Sequence, residues 1–284
     1  MKFFLGSLGN WFKDLSLIKE AVVTADRLGF DGALMPDHYM WGTREWGPRR
    51  PEDVVTLDSW VTLTYLAGKT DQIRLGTLVT PIPFRPPGIL AKMVSTLDIL
   101  SKGRVVLGVG AGWSKEEFEG YSKWNEPKVR VDKTKEGLKL MIKLWTQDEV
   151  TFEGKYYKAK AAVLEPKPVQ KPYPPLLFGS RGNRMLRLTG RYGNICFTPR
   201  AQNPEECEER KRKVLRVVKK FNRKIAFMGG QLGSIPQYDT KEYSKRVEVA
   251  VENGDSYFLT SLPRTDDFIG NIKKFAKEVI PSFK

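Results

Sequence analysis

Short apolar runs alternate with longer segments of helical periodicity along almost the whole chain, and no other feature narrows its fold as far. The runs are Lys2 to Leu8, Gly32 to Met35, Ile73 to Val79, Arg104 to Val109, Leu176 to Phe178, Asn194 to Thr198, Lys224 to Met228 and Ser256 to Thr260. The segments that follow them are Leu15 to Leu28, Leu57 to Ala67, Pro87 to Leu100, Val131 to Trp145, Asn183 to Tyr192, a stretch capped by Asn203-Pro204, Lys241 to Val251, and Asp266 to Val279. Glycine just past a helix end (Gly29, Gly103) and proline in a first turn (Pro87) mark boundaries that helices favour. Eight βα units in 284 residues is the count of a (β/α)₈ TIM barrel. An open doubly wound sheet also alternates, but it rarely needs eight units.

One interruption follows the fourth unit. Glu149 to Phe152 and Lys155 to Tyr157 read as a small β-hairpin about the turn Glu153-Gly154, and a proline-rich connector runs from Glu165 to Pro175. The βα rhythm resumes at once, which favours an insertion inside one domain, residues 1–284, over a linker between two. In a barrel of this kind the loops after the strands form the active face.

Composition removes several chemistries. The two cysteines, Cys196 and Cys207, make neither a disulfide framework nor a cysteine zinc site, and the single histidine, His38, excludes a histidine metal cluster. No metal is expected. Lys plus Arg exceed Asp plus Glu by 48 to 33, a formal charge of +15, which suits either an anionic ligand or a well-solvated basic surface. The charge run after Asn203 grades from Glu205, Glu206, Glu208 and Glu209 to Arg216, Lys219 and Lys220, complementing a helix dipole rather than forming a nucleic-acid patch. Neither a signal-peptide core nor an apolar run of membrane-spanning length is present, so a cytoplasmic protein is expected. Sparse Asn, Gln, Cys and Met beside plentiful Lys and Glu is a thermophile-like bias.

Three loops could carry chemistry. After strand two, Asp37, His38, Tyr39 and Trp41 bring a carboxylate, the only imidazole, a phenol and an indole within five residues. Imidazole suits proton transfer near neutral pH, and aromatic rings can wall a planar ligand. After strand four, Gly108-Val109-Gly110-Ala111-Gly112-Trp113 lacks the GxGxxG spacing of a dinucleotide fold; it allows close backbone approach to a ligand or simply turns tightly. After strand five, Gly179-Ser180-Arg181-Gly182 opens a helix with free amides, a hydroxyl and an arginine, as phosphate binding or plain capping requires. Together these loops suggest a phosphorylated planar cofactor.

The string Leu75-Gly76-Thr77-Leu78-Val79-Thr80-Pro81, the PFRPP after it, and AKMVSTLDILSKGRVVLGVGAGW from Ala91 to Trp113 resemble the bacterial luciferase-like superfamily. VTFEGKYY, PKPVQKPYPPLLFGS and FAKEVIPSFK extend the resemblance over almost the whole chain, with residues 199–254 matching least. The resemblance implies a barrel that binds coenzyme F420 or FMN at its mouth. A non-prolyl cis peptide at Leu78-Val79 would bulge against the ring, with Thr80 beside it. Ala111 and Gly112 would pass near the cofactor, and Gly179, Ser180, Arg181 and Gly182 would hold its phosphate. In the F420-dependent branch a DHF or DHY histidine stands by the reacting carbon, matching Asp37-His38-Tyr39. His38 is then the catalytic residue, with Asp37 orienting it or touching the cofactor, and Tyr39, Trp41 and Trp113 lining the substrate pocket.

Two departures accompany the match. F420-dependent members carry tryptophan four residues after the histidine, whereas Trp41 is third and Gly42 fourth; Trp113 stands where the sugar-phosphate dehydrogenases of the group place a proton-donating glutamate. The DHY motif and the positive charge favour the anionic deazaflavin F420 over FMN. The expected activity is hydride transfer to or from an alcohol, carbonyl or activated alkene. The alternatives are an FMN-dependent monooxygenase served by a separate flavin reductase, and a non-catalytic flavin-binding barrel. A small-molecule substrate, no nucleic acid, no membrane, and the homodimer common in the family complete the expectations.

Overall fold

The structure, a computed structural model, describes residues 1–6, 8–9, 14–41, 55–179, 181–197 and 204–284. Ser180, Thr198, Asn203 and most of the loop after the second strand lie outside the described residues. The first four units are β1 (Lys2–Leu5) and α1 (Leu15–Arg27), β2 (Gly32–Met35) and α2 (Ser59–Ala67), β3 (Arg74–Thr77) with the short β4 (Thr80–Pro81) and α3 (Pro87–Leu100), then β5 (Val105–Gly110) with α4 (Lys115–Tyr121) and α5 (Pro127–Thr146). An antiparallel pair, β6 (Val150–Glu153) and β7 (Lys158–Ala162), intervenes. The last four units are β8 (Leu176–Phe178) and α6 (Asn183–Tyr192), β9 (Ile195–Phe197) and α7 (Pro204–Lys220), β10 (Ala226–Gly230) and α8 (Thr240–Glu252), and β11 (Tyr257–Thr260) and α9 (Phe268–Glu278).

All barrel pairings are parallel, and they run round a closed ring: β1 to β2, β3, β5, β8, β9, β10, β11 and back to β1. Closure leaves no edge strand to protect. The two-residue alternation along each strand sorts the core. Phe4, Leu34, Val106, Leu177, Ile195, Phe197, Met228 and Leu259 fill the interior. Their neighbours Phe3, Leu5, Met35, Leu75, Leu107 and Phe258 point outward into the apolar stripes of the helices. Among the described residues, no helix is long and apolar enough to cross a membrane.

The elements depart from the expected bounds at three places that matter to the mouth. The run expected from Ile73 to Val79 ends at Thr77; the Leu78–Val79 peptide is cis, and pairing resumes with Thr80 opposite Val109. A helix not expected from periodicity, α4, occupies Lys115–Tyr121, and α5 starts at Pro127 rather than Val131, with proline in its first turn. The return strand of the hairpin begins at Lys158 because Glu136 of α5 accepts from the amides of Lys155, Tyr156 and Tyr157 and holds them in the turn.

Candidate active site

The C-terminal ends of the strands open into a cavity of about 860 Å³, within the range that small-ligand sites occupy. Its wall brings together the loops singled out in sequence: His38 and Trp41 after β2, Leu78 and Val79 after β3, Ala111, Gly112 and Trp113 after β5, and Gly179, Arg181 and Gly182 after β8. Ser180 of the last group lies outside the described residues.

The glycine turn is shaped by close packing. Gly112 has φ +80°, and a Cβ there would stand 2.3 Å from the Phe118 ring; one on Gly110 would stand 2.6 Å from Val79 Cγ2. Only a residue without a side chain lets β5, the cis peptide and α4 approach this way. Phe118 is fully buried against Phe84 and Trp124, which seats α4 over the turn.

That seating presents Glu117. Its carboxylate is fully buried, its Oε2 lies 2.9 Å from His38 Nδ1, and its Oε1 accepts from the amides of Tyr39 at 2.5 Å and Met40 at 3.4 Å. The His38 ring is nearly buried, with the edges of two indoles against it, Trp41 at 4.9 Å and Trp113 at 5.8 Å between ring centres. Trp41 therefore reaches the imidazole although it stands one position earlier than the family spacing.

Asp37 corrects an expectation. It neither orients His38 nor lines the cavity. Arg85 donates to both its oxygens, at 2.8 and 2.9 Å, Thr80 Oγ1 donates at 2.7 Å and Trp60 Nε1 at 3.1 Å. Burial opposes the charge on Arg85, but Asp37 outweighs it and holds the guanidinium above its ordinary value. Thr80 is consumed in the same network and also bonds Thr77, so it is fully buried behind the cavity. Tyr39 packs on Phe84 with Arg85 over its ring, and it too is absent from the cavity wall. Burial, opposed by Arg85, pushes its phenol up to about 12. The reason is the alternation inherited from β2: His38 faces the mouth, so the residues on either side of it point elsewhere.

Three arginines line the cavity, Arg130, Arg181 and Arg264, and among the described residues no carboxylate does. Burial pushes the Arg264 guanidinium down to about 10 and also lowers Arg130, against the opposing pull of Glu126. Arg130 is 7% exposed, stacks on Trp124 at 3.9 Å, and its Nε has no hydrogen-bond partner among the described residues. Beside it α6 begins at Gly182 without a side-chain cap, and a Cβ on Gly182 would meet nothing within 4 Å. Open amides at a helix start, buried positive charge and an unmet donor form a site for an anion.

Sequence reasoning missed Glu117, Arg130 and Arg264. Ser114-Lys115-Glu116-Glu117 does carry the S-x-x-E spacing of a helix start, which could have revealed α4. In the structure the box is broken on both sides: the Ser114 hydroxyl caps nothing, and the Glu117 carboxylate is turned to His38 instead of back to the helix start. Arg130 fell just outside the expected helix. Arg264 had no signal among 48 basic residues.

Comparison with known proteins agrees with this architecture. The F420-dependent glucose-6-phosphate dehydrogenase of Microbacterium testaceum is 33% identical over 184 residues, covering 64% of this chain and 52% of that protein. The chain spans about half the length of the curated relatives it matches. An F420-dependent secondary alcohol dehydrogenase in complex with an F420–acetone adduct superposes with a TM-score of 0.84 at 22% identity, covering 100% of this chain and 99% of that one. A monooxygenase from Streptomyces bottropensis superposes with a TM-score of 0.77 at 20% identity, covering 100% of both chains. At those identities the two structures speak to the fold. The profile of the luciferase-like monooxygenase family matches residues 6–235, which hold every loop that builds the mouth except the one bearing Arg264, and by that match the chain belongs to this family.

Proposed function

We propose that the protein is a coenzyme F420-dependent oxidoreductase that moves a hydride between the deazaflavin and a small organic substrate, either an alcohol–carbonyl pair or an activated alkene. The observation that carries this reading is the lone imidazole of the DHY segment, flanked by two indoles, in the same cavity as the cis Leu78–Val79 peptide. The names of the F420-dependent relatives support it. So does the positive lining, since F420 carries a phosphodiester and an acidic tail.

The residues fit such a group. Leu78 and Val79 would back the ring system, with Ala111 and Gly112 at its side. Gly179, Ser180, Arg181, Gly182 and the unmet Arg130 Nε would hold phosphate. When bound, the deazaflavin supplies the two-electron hydride chemistry. The chain's own task is then to position the substrate, exclude water and handle one proton. In alcohol oxidation the hydroxyl proton passes to His38 Nε2, and in the reverse direction it returns from there. Trp41 and Trp113 make the substrate side apolar. Trp113 is half-exposed and offers neither a proton nor a charge where the sugar-phosphate dehydrogenases have glutamate, so the substrate assigned is small and uncharged rather than glucose 6-phosphate.

Anaerobic titration with F420 and, separately, FMN tests the reading through the absorbance and fluorescence of each. Tight binding of F420 followed by its reduction with a secondary alcohol is the expected result. Preference for FMN, with oxygen-consuming turnover in the presence of a flavin reductase, would replace hydride transfer by monooxygenation. Binding of neither would refute the enzyme assignment.

A further inference from the structure

Glu117 makes two separable sets of contacts. Oε1 gathers the Tyr39 and Met40 amides and so clamps the start of the loop after β2; among the described residues Oε2 meets only the imidazole, at 2.9 Å from Nδ1. Among the described residues, His38 is the one basic side chain paired with this buried carboxylate, and His38 Nε2 has no hydrogen-bond partner. A carboxylate oxygen at that distance accepts a hydrogen bond, and facing an unprotonated Nδ1 it would set two lone pairs against each other. The proton of the neutral ring is therefore on Nδ1, and the lone pair is on the nitrogen away from Glu117.

We propose that Glu117 is a positioning residue that locks His38 in the Nδ1–H tautomer, so that the neutral imidazole offers Nε2 to the cavity as the proton-accepting atom. The assignment rests on His38 being the proton-handling group of the reaction above. It uses a residue on α4, which the sequence pattern around the DHY motif does not indicate. The neighbour of His38 in the chain, Asp37, is unable to serve because Arg85, Thr80 and Trp60 already occupy its oxygens.

Glu117→Gln separates the two roles. The amide oxygen stays with the two backbone donors, from which an NH₂ group could not accept, and its NH₂ then points at Nδ1 and donates to it. The loop remains clamped while the tautomer inverts to Nε2–H, the form unable to accept a proton from substrate.

His38 is the only histidine, so long-range ¹H–¹⁵N correlation spectra of the ¹⁵N-labelled protein contain a single side-chain imidazole. At about pH 9, where an ordinary imidazole is neutral, the wild type is expected to show a pyrrole-type Nδ1 and a pyridine-type Nε2. Glu117→Gln is expected to exchange them. A wild-type spectrum with the proton on Nε2 overturns the proposal, as does a glutamine variant with the wild-type pattern. If the variant does not fold, the wild-type spectrum decides alone. No cofactor enters this measurement, so its failure is distinct from a failure to bind F420. In turnover, Glu117→Gln should lower kcat by about 10²- to 10⁴-fold with little change in substrate KM. It should add no further loss to a His38→Ala background. An additive loss would mean that Glu117 acts on the loop and not through the imidazole.

Discussion

At the scale of single residues, two buried carboxylates meet at the DHY segment and are spent on different ends: Asp37 within it and Glu117 from α4. Asp37 anchors the fold: it is 1% exposed and answers a bidentate arginine, an indole and a hydroxyl. Removing one member of a buried charge pair leaves the other without compensation, at a cost of about 3–5 kcal/mol. Asp37→Asn or Arg85→Met is therefore expected to lower unfolding free energy by roughly that amount. The lower end suits Asp37→Asn, because Arg85 keeps a bond to Asp58. Denaturant melts check this, and a midpoint equal to wild type would refute the pairing. His38→Ala should reduce turnover in the proposed F420-dependent reaction by about 10²- to 10⁴-fold, and because it leaves Oε2 of the fully buried Glu117 without its partner it should also lower the melt. A rate near wild type would remove His38 from the chemistry. The aromatic and imidazole side chains at this mouth were legible in the sequence because their types are rare and clustered. The partner of His38 was not, since a contact spanning 79 residues leaves no local pattern.

Among the elements, α4 has the most leverage on the site for its length. It is seven residues long, seated by Phe118 on the turn at Gly112, and it delivers Glu117 under the mouth. Gly112→Ala combines an unfavourable φ of +80° with a Cβ that meets the Phe118 ring, so a destabilisation on the order of 1–3 kcal/mol is expected. The same substitution should disturb the imidazole spectrum, because Phe118 and Glu117 move together. An unchanged melt and an unchanged His38 signal would show that α4 seats itself by other contacts. Glu136 plays a comparable part for the hairpin. Glu136→Ala should accelerate hydrogen exchange at the amides of Lys155, Tyr156 and Tyr157, and protection equal to wild type there would contradict the clamp. Periodicity located the long helices within a few residues. It failed for α4, whose length of two turns gives too few repeats, and for the start of β7, whose position is dictated by a side chain on α5.

For the molecule as a whole, burial sets the alkaline limit of stability. Tyr39, Tyr157 and Tyr238 are pushed up to about 12 by burial, and Tyr243 is raised as well. Each folded value lies above the unfolded one, so the native state keeps protons that the unfolded chain releases. The resulting stability is complete below about pH 10 and is lost as the pH rises toward the folded values. Melting temperatures should fall progressively over that interval, less so in Tyr243→Phe; a flat profile would show that these phenols titrate as they do in water. The alternation of apolar runs and helical stripes determined the closed barrel, because burying one face of each helix on both neighbours of a parallel strand has few solutions. It also determined which loops stand at the mouth, through the rule that strands deliver their C-terminal ends there. Only the tertiary structure decided which side chains meet: that Asp37 turns to Arg85, that Glu117 turns to His38, and that Arg130, Arg181 and Arg264 gather around one cavity. Local sequence sets backbone periodicity, whereas the direction of a side chain in a loop is settled by partners far along the chain, and these exist only once the ring has closed.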